Sequence, residues 1–183
     1  MKSKHLQHRI KTCLSLAELS PCKRRQFGCV IIDPKSNVML SEGYNGNLRG
    51  GTELCGGAVC DRRDIESGTQ LEVGCVHAEQ NAIYNAARLG TPLAGSWFIV
   101  NGEPCRLCAK AIVQVGASKV ICIDGGYSCS EGVELLKKSD VEVVKVNKDL
   151  SDVAKAIDAR LGATYIRPMR PAEMTKSPFS LPT

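Results

Sequence analysis

The chain has 183 residues, 43% of them hydrophobic, 23% charged and 4% aromatic, with a formal net charge of +5. That length suits one globular domain, and the composition excludes an intrinsically disordered chain. Sparse aromatics argue against a base-stacking surface, no apolar run approaches the ~20 residues of a membrane-spanning helix, and the charged start MKSKHLQHRIKTC lacks the apolar stretch of a leader, so residence in the cytoplasm is expected.

In chain order, residues 5–19 carry apolar side chains at helical spacing until Ser20-Pro21 stops them. Residues 27–32 and 38–44 are β-branched-rich runs joined by the turn formers Asp33-Pro34-Lys35-Ser36-Asn37, which predicts an antiparallel hairpin. From 45 to 76 there are many Gly, Cys and charged residues with no sustained period, a length of loop that usually serves function. Residues 78–89 (AEQNAIYNAARL) are strong helix formers ended by Gly90. The spacing then predicts a strand at 97–100, a helix at 106–115 ended by Gly116, a strand at 119–123, a helix at 130–138, a strand at 141–146 and a last helix at 149–161. Alternating strands and helices imply an α/β layer structure, with the fourth and fifth strands parallel because a helix joins them. Residues 1–161 form the expected domain. The segment 162–183, rich in Pro and Ser, is expected to be an arm or disordered.

Ten cysteines in a chain with an ordinary core point to metal binding or thiol chemistry rather than a disulfide framework. Val76-His77-Ala78-Glu79 and Pro104-Cys105-Arg106-Leu107-Cys108 each open a helix, with one helix and one strand between them. A Cys-x-x-Cys at a helix start can place both thiolates on one zinc, and His77 completes three protein ligands. The fourth position is left for water, whose pKa zinc lowers toward about 7. Glu79 is placed to move protons without binding the metal. Taken alone, Cys-x-x-Cys is also compatible with a redox pair or half of a closed structural zinc site. Together with His-x-Glu it is the signature of zinc nucleobase deaminases, in which the Glu protonates the ring nitrogen and then the departing amine.

Beyond that signature the sequence resembles the deoxycytidylate deaminases. The matching stretches are 22–31 (CKRRQFGCVI), 43–46 (GYNG), 77–83 (HAEQNAI) and 104–110 (PCRLCAK), with an echo in Tyr127 and 131–136 (EGVELL); the likeness spans residues 9–146. It implies a three-layer cytidine deaminase-like fold, a five-stranded mixed sheet with helices on both faces. It also implies hydrolysis of dCMP to dUMP with release of ammonia, and a homo-oligomer, hexamer or dimer. Many relatives are activated by dCTP with Mg²⁺ and inhibited by dTTP. Asn45 matches a nucleotide-contacting residue, Ala78 a backbone group facing the base, and Tyr127 a pocket aromatic. The stretch Gly43, Tyr44, Asn45, Gly46 resembles an effector-binding loop. Arg24 and Arg25 are candidates for the substrate phosphate. Similar enzymes can carry a second, structural zinc, for which Cys22, Cys55, Cys60 and Cys75 are the candidates, while Cys13, Cys29 and Cys122 are expected to be buried apolar thiols. The sequence departs from the common pattern at Leu48, where many relatives have Pro, and at Glu103, where Ser is common before the Pro-Cys.

Three other functions share parts of this pattern. A deaminase of another or modified cytosine nucleotide or nucleoside would need the same zinc residues. A polynucleotide deaminase would want an aromatic-rich, basic stripe that this sequence lacks. A non-catalytic, zinc-stapled nucleotide-binding protein would have no use for Glu79.

Overall fold

The computed structural model describes residues 2–147 except 52, 57, 67, 68, 70, 72, 125 and 126. The expected helix at 149–161 and the expected tail at 162–183 lie outside the described residues. The elements run α1 (Ser3–Ala17), β1 (Gly28–Ile32), β2 (Met39–Tyr44), β3 (Cys55–Gly56), β4 (Val59–Cys60), α2 (Ala78–Leu89), β5 (Trp97–Val100), α3 (Arg106–Gln114), β6 (Lys119–Ile123), α4 (Ser130–Lys138) and β7 (Glu142–Val146). The long elements follow the sequence pattern to within about two residues, the usual uncertainty of helix ends. Two differ from expectation. The short β3–β4 hairpin falls inside the segment read as a loop, because two-residue strands carry no periodicity. Helix α1 starts and stops two residues earlier than the pattern suggests.

The main sheet has the order β2-β1-β5-β6-β7. Strand β1 pairs antiparallel with both β2 and β5, whereas β5–β6 and β6–β7 are parallel. The fold is therefore the expected mixed five-stranded sheet. The tight β1–β2 connection leaves only an antiparallel pairing open to those strands, and the helical crossovers through α3 and α4 bring the later strands in parallel.

Every residue of β1, β5 and β6 is buried, as strands covered on both faces must be. Alternate side chains divide between two cores. Cys29, Ile31, Phe98, Val100, Val120 and Cys122 face Ala78, Ala82, Ala86, Ala109, Ile112 and Leu136 of α2, α3 and α4. Val30, Ile32, Trp97, Ile99, Ile121 and Ile123 share the other core with Leu6, Ile10, Cys13 and Leu16 of α1. Each buried aliphatic side chain contributes roughly 1.5–3 kcal/mol relative to exposure, so the Val and Ile residues that fill three adjacent strands make this the rigid part of the molecule.

Two glycines set the approach of helices to the site. A Cβ at Gly43 of β2 would lie 2.4 Å from the backbone nitrogen of Ala82, and one at Gly132 of α4 would lie 1.9 Å from the carbonyl oxygen of Pro104. Helix α2 thus rests directly on β2, where Ser41 Oγ donates to the Ala82 carbonyl at 2.6 Å, and Asn81 and Asn85 donate to the carbonyls of Tyr44 and Glu42. Helix α4 likewise packs against the backbone that carries Cys105.

Candidate active site

The chemistry-bearing residues sit where two helices begin. His77 is the N-cap of α2, and the Gln80 side chain returns to accept from the His77 backbone N–H at 2.9 Å. Cys105 is the N-cap of α3, with its sulfur accepting from the Cys108 N–H at 3.5 Å. These caps fix the first turn of each helix, so the side chains of residues 77 and 79 and of 105 and 108 converge over the end of β5.

His77 Nδ1 lies 3.5 Å from Cys105 Sγ and 3.4 Å from Cys108 Sγ. A tetrahedral zinc held about 2.0–2.1 Å from nitrogen and about 2.3 Å from sulfur places those ligand atoms about 3.5 Å apart. The donor set and its spacing therefore fit zinc, with three protein ligands. Among the described residues this is the group of His, Cys, Asp and Glu side chains whose ligand atoms all lie within 4.8 Å of one another. Cys105 is drawn down to about 4, first by the hydrogen bond from the Cys108 thiol and then by His77. A thiolate at a helix start beside an imidazole is the form that binds metal.

Glu79 is 9% exposed, and burial raises its carboxyl above the ordinary value. It lies in the wall of a cavity of ≈ 380 Å³ together with His77, Ala78, Cys105 and Tyr127. A buried acid with a raised pKa, next to a three-ligand metal position and open to a cavity, has what general acid–base catalysis requires.

The other residues singled out in the sequence are distributed unequally. Asn45 is buried and faces the cavity, but its amide secures the opposite wall. Oδ1 accepts from the Phe27 N–H at 2.7 Å, and Nδ2 donates to the Arg25 carbonyl at 3.0 Å. Arg24 also lines the cavity, yet its guanidinium donates to the carbonyl oxygens of Arg62 and of Ile65, the latter at 2.8 Å, tying down the 62–65 turn. Arg25 instead stands 5.8 Å from the centroid of the Tyr127 ring, across the cavity mouth. Gly43 is occupied by its contact with α2, Tyr44 is partly exposed, and Gly46 pairs with Val76 in an isolated bridge.

All ten cysteines are free thiols. Cys13, Cys29 and Cys122 are buried, and burial raises each thiol, Cys122 to about 12. The four cysteines of the proposed second site approach each other without reaching the compactness of the first. Cys75 is hydrogen-bonded to Cys22 and to Cys55, and Cys55 stands opposite Cys60 in the β3–β4 register. Cys22 is pulled down to about 5, chiefly by Cys75.

Several residues at the site escaped sequence reasoning. Arg106 and Lys110 of α3 line the cavity and add positive charge to it; their positions one and five residues past the first metal-ligating cysteine were a usable signal. Cys129, the N-cap of α4, touches the Tyr127 side chain. Nothing local in the sequence marked it.

With this geometry in place, the likeness to known proteins is informative. The family model for the cytidine and deoxycytidylate deaminase zinc-binding region matches residues 3–124. The chain is 31% identical over 134 residues to ComE operon protein 2 of Bacillus subtilis, covering 73% of this chain and 67% of that one. It is 31% identical over 132 residues to the deoxycytidylate deaminase of Schizosaccharomyces pombe, covering 69% of this chain but 39% of that enzyme. Among solved structures, the dCMP deaminase of cyanophage S-TIM5 in complex with dCMP and dUMP superposes with a TM-score of 0.66 and 28% identity, over 80% of this chain and 99% of that one.

Proposed function

Because the chain belongs to the cytidine and deoxycytidylate deaminase family, we propose that it is a zinc-dependent enzyme that hydrolyses dCMP to dUMP and ammonia. The observation that carries this reading is the pairing of a zinc-spaced His77, Cys105 and Cys108 with a buried Glu79 on one cavity wall. The phage enzyme solved with dCMP and dUMP supports the choice of nucleotide. The chain spans well under half the length of the yeast enzyme, so the reading is confined to the shared deaminase domain.

When bound, zinc supplies a Lewis acid that makes a nucleophile of water at neutral pH. His77, Cys105 and Cys108 hold it, with the helix starts favouring the anionic sulfurs. Glu79 takes one proton from water and delivers it to the ring nitrogen of cytosine, then takes the remaining proton of the added hydroxyl and passes it to the departing amine as the carbon–nitrogen bond breaks, so that water and dCMP yield dUMP and ammonia. Burial raises its pKa above the ordinary carboxylate value, so it accepts a proton more readily than an exposed acid would. The backbone of Ala78, at the first turn of α2, faces the base, and Tyr127 forms the aromatic wall. Of the two arginines proposed for the 5′-phosphate, Arg25 has its guanidinium at the mouth, while Arg24 is engaged with loop carbonyls. Arg106 and Lys110 supply further charge from the α3 side. Asn45 acts on the nucleotide by fixing the 25–27 backbone.

A second zinc on Cys22, Cys55, Cys60 and Cys75 would stabilise a segment whose backbone is held mostly by arginine side chains. Regulation by dCTP with Mg²⁺, through the 43–46 turn, and by dTTP, together with assembly into a homo-oligomer in the cytoplasm, completes the proposal. Among the described residues no helix is long and apolar enough to cross a membrane.

Ammonia release from dCMP, dCTP, cytidine and short cytosine-containing oligonucleotides, measured side by side on the zinc-loaded protein, tests the reading. We expect the highest kcat/KM with dCMP. A preference for oligonucleotides or for unphosphorylated cytidine would overturn the substrate while leaving the zinc chemistry standing.

A further inference from the structure

The carboxylate of Glu103 lies between the metal-ligating segment and the loop that carries Tyr127. It is 9% exposed. One oxygen, Oε2, accepts from the Cys129 backbone N–H at 2.5 Å and from the Ser128 hydroxyl at 3.0 Å. The other, Oε1, forms an ion pair with Lys145 of β7. The backbone N–H of Glu103 donates to the Tyr127 carbonyl at 2.8 Å. One residue therefore holds three consecutive positions, 127, 128 and 129, and does so at the N-terminus of α4, where a carboxylate satisfies an otherwise open donor. Cys129 in turn touches the Tyr127 side chain, whose ring faces Arg25 across the cavity mouth.

This network has no part in ligating the metal or in moving protons. The metal-ligating atoms belong to residues 77, 105 and 108, and the acid is Glu79. We infer that Glu103 is a positioning residue that sets Tyr127, and with it the Tyr127–Arg25 pair, at the distance a bound cytosine nucleotide requires. The inference rests on the proposed activity toward dCMP. Because Tyr127 acts on bound nucleotide rather than on the reacting atoms, loss of its placement should weaken binding in ground and transition states alike, raising KM while kcat is kept.

Glu103→Ala, assayed on the zinc-loaded enzyme, should raise KM for dCMP about tenfold, with kcat within about threefold and zinc content unchanged. Glu103→Gln keeps an oxygen able to accept from Cys129 and Ser128, and should recover most of that loss. In a Tyr127→Ala background, Glu103→Ala should add little, since the residue through which it acts is gone. If Glu103→Ala does not fold, Glu103→Asp, which withdraws the carboxylate by one methylene, should show the same rise in KM. A lowered melting temperature with unchanged KM would overturn the inference, as would loss of zinc or an undiminished effect in the Tyr127→Ala background. Wild-type protein that turns over a different cytosine nucleotide but not dCMP would overturn the proposed substrate instead, and the KM split would then be read on that nucleotide.

Discussion

Two groups of thiols in this molecule are brought together by different means. Cys105 and Cys108 stand on the first turn of a helix whose base is fixed by the sheet, and His77 joins them from a second helix start; all three meet within zinc-ligand distance with no help from the loop. Cys22, Cys55, Cys60 and Cys75 are spread along the segment before β1 and the 45–76 loop, where a two-stranded hairpin and arginine contacts to carbonyls stand in for a hydrophobic core. The first group is preorganised by the fold, whereas the second lies on a segment that the proposed second ion would organise. Rigid elements suit chemistry that needs fixed distances, and an ion suits a segment that cannot bury enough apolar surface of its own.

The largest effect should come from breaking the preorganised group. Cys108→Ala removes a fully buried ligand, and we expect zinc at this position to be lost and dCMP turnover to fall to background. Full activity with the metal gone, by elemental measurement beside an ammonia assay, would end the contrast. Glu79→Gln comes next. It should retain zinc but lower kcat by about 10² to 10⁴, the usual worth of a positioned acid–base group. A kcat within tenfold of wild type would remove its role. The loop group is tested by counting metal: two ions per chain in wild type and one in Cys60→Ser, with faster proteolysis within 45–76 in the variant. A wild-type count of one would show that these thiols stand without an ion.

The smallest effect concerns the β1–β2 turn, remote from either thiol group. Asp33 is held below its ordinary value of 3.8, first by the Ser36 hydroxyl and then by the Lys35 N–H. A carboxyl whose pKa is lowered by folding stabilises the folded state above its unfolded pKa, and that contribution is lost as pH falls through the folded pKa. Thermal melts should therefore show Asp33→Ala slightly less stable than wild type at pH 7, with the gap narrowing below pH 3.8. An equal gap in acid would assign the turn's stability to something other than this charge.

What could be read before the structure follows the same division. Residues 78–89 and their stop at Gly90 were legible because strong helix formers and a left-handed C-cap are local signals. The pairs His77–Glu79 and Cys105–Cys108 were legible because each is a local spacing, whereas the meeting of the two pairs across 28 residues is set by the fold. Arg24 was proposed for a phosphate, and its hydrogen bonds to the 62–65 turn could not be foreseen, since they depend on how the loop returns. Asn45 was recognised as part of the site but not as the clamp on residues 25–27. Glu103 was noticed only as a departure from serine; its partners on α4 and β7 are neighbours in space and far apart along the chain. Local order is written in adjacent residues, whereas polar networks between layers appear only once the layers are stacked.

Strand β5 pairs antiparallel with β1 on one side and parallel with β6 on the other. Where it exits the sheet, β1 enters beside it, so the residues just after one strand and just before the other border the same crevice. The stretch after β5 that leads to Cys105 is tied to the cavity walls on either side, through Asn101 to residues 26 and 28 and through Glu103 to residues 127–129. Grafting a new segment between β2 and α2, or a new turn after β6, could redirect which pyrimidine enters while the metal-bearing helices keep their footing, provided those ties are kept.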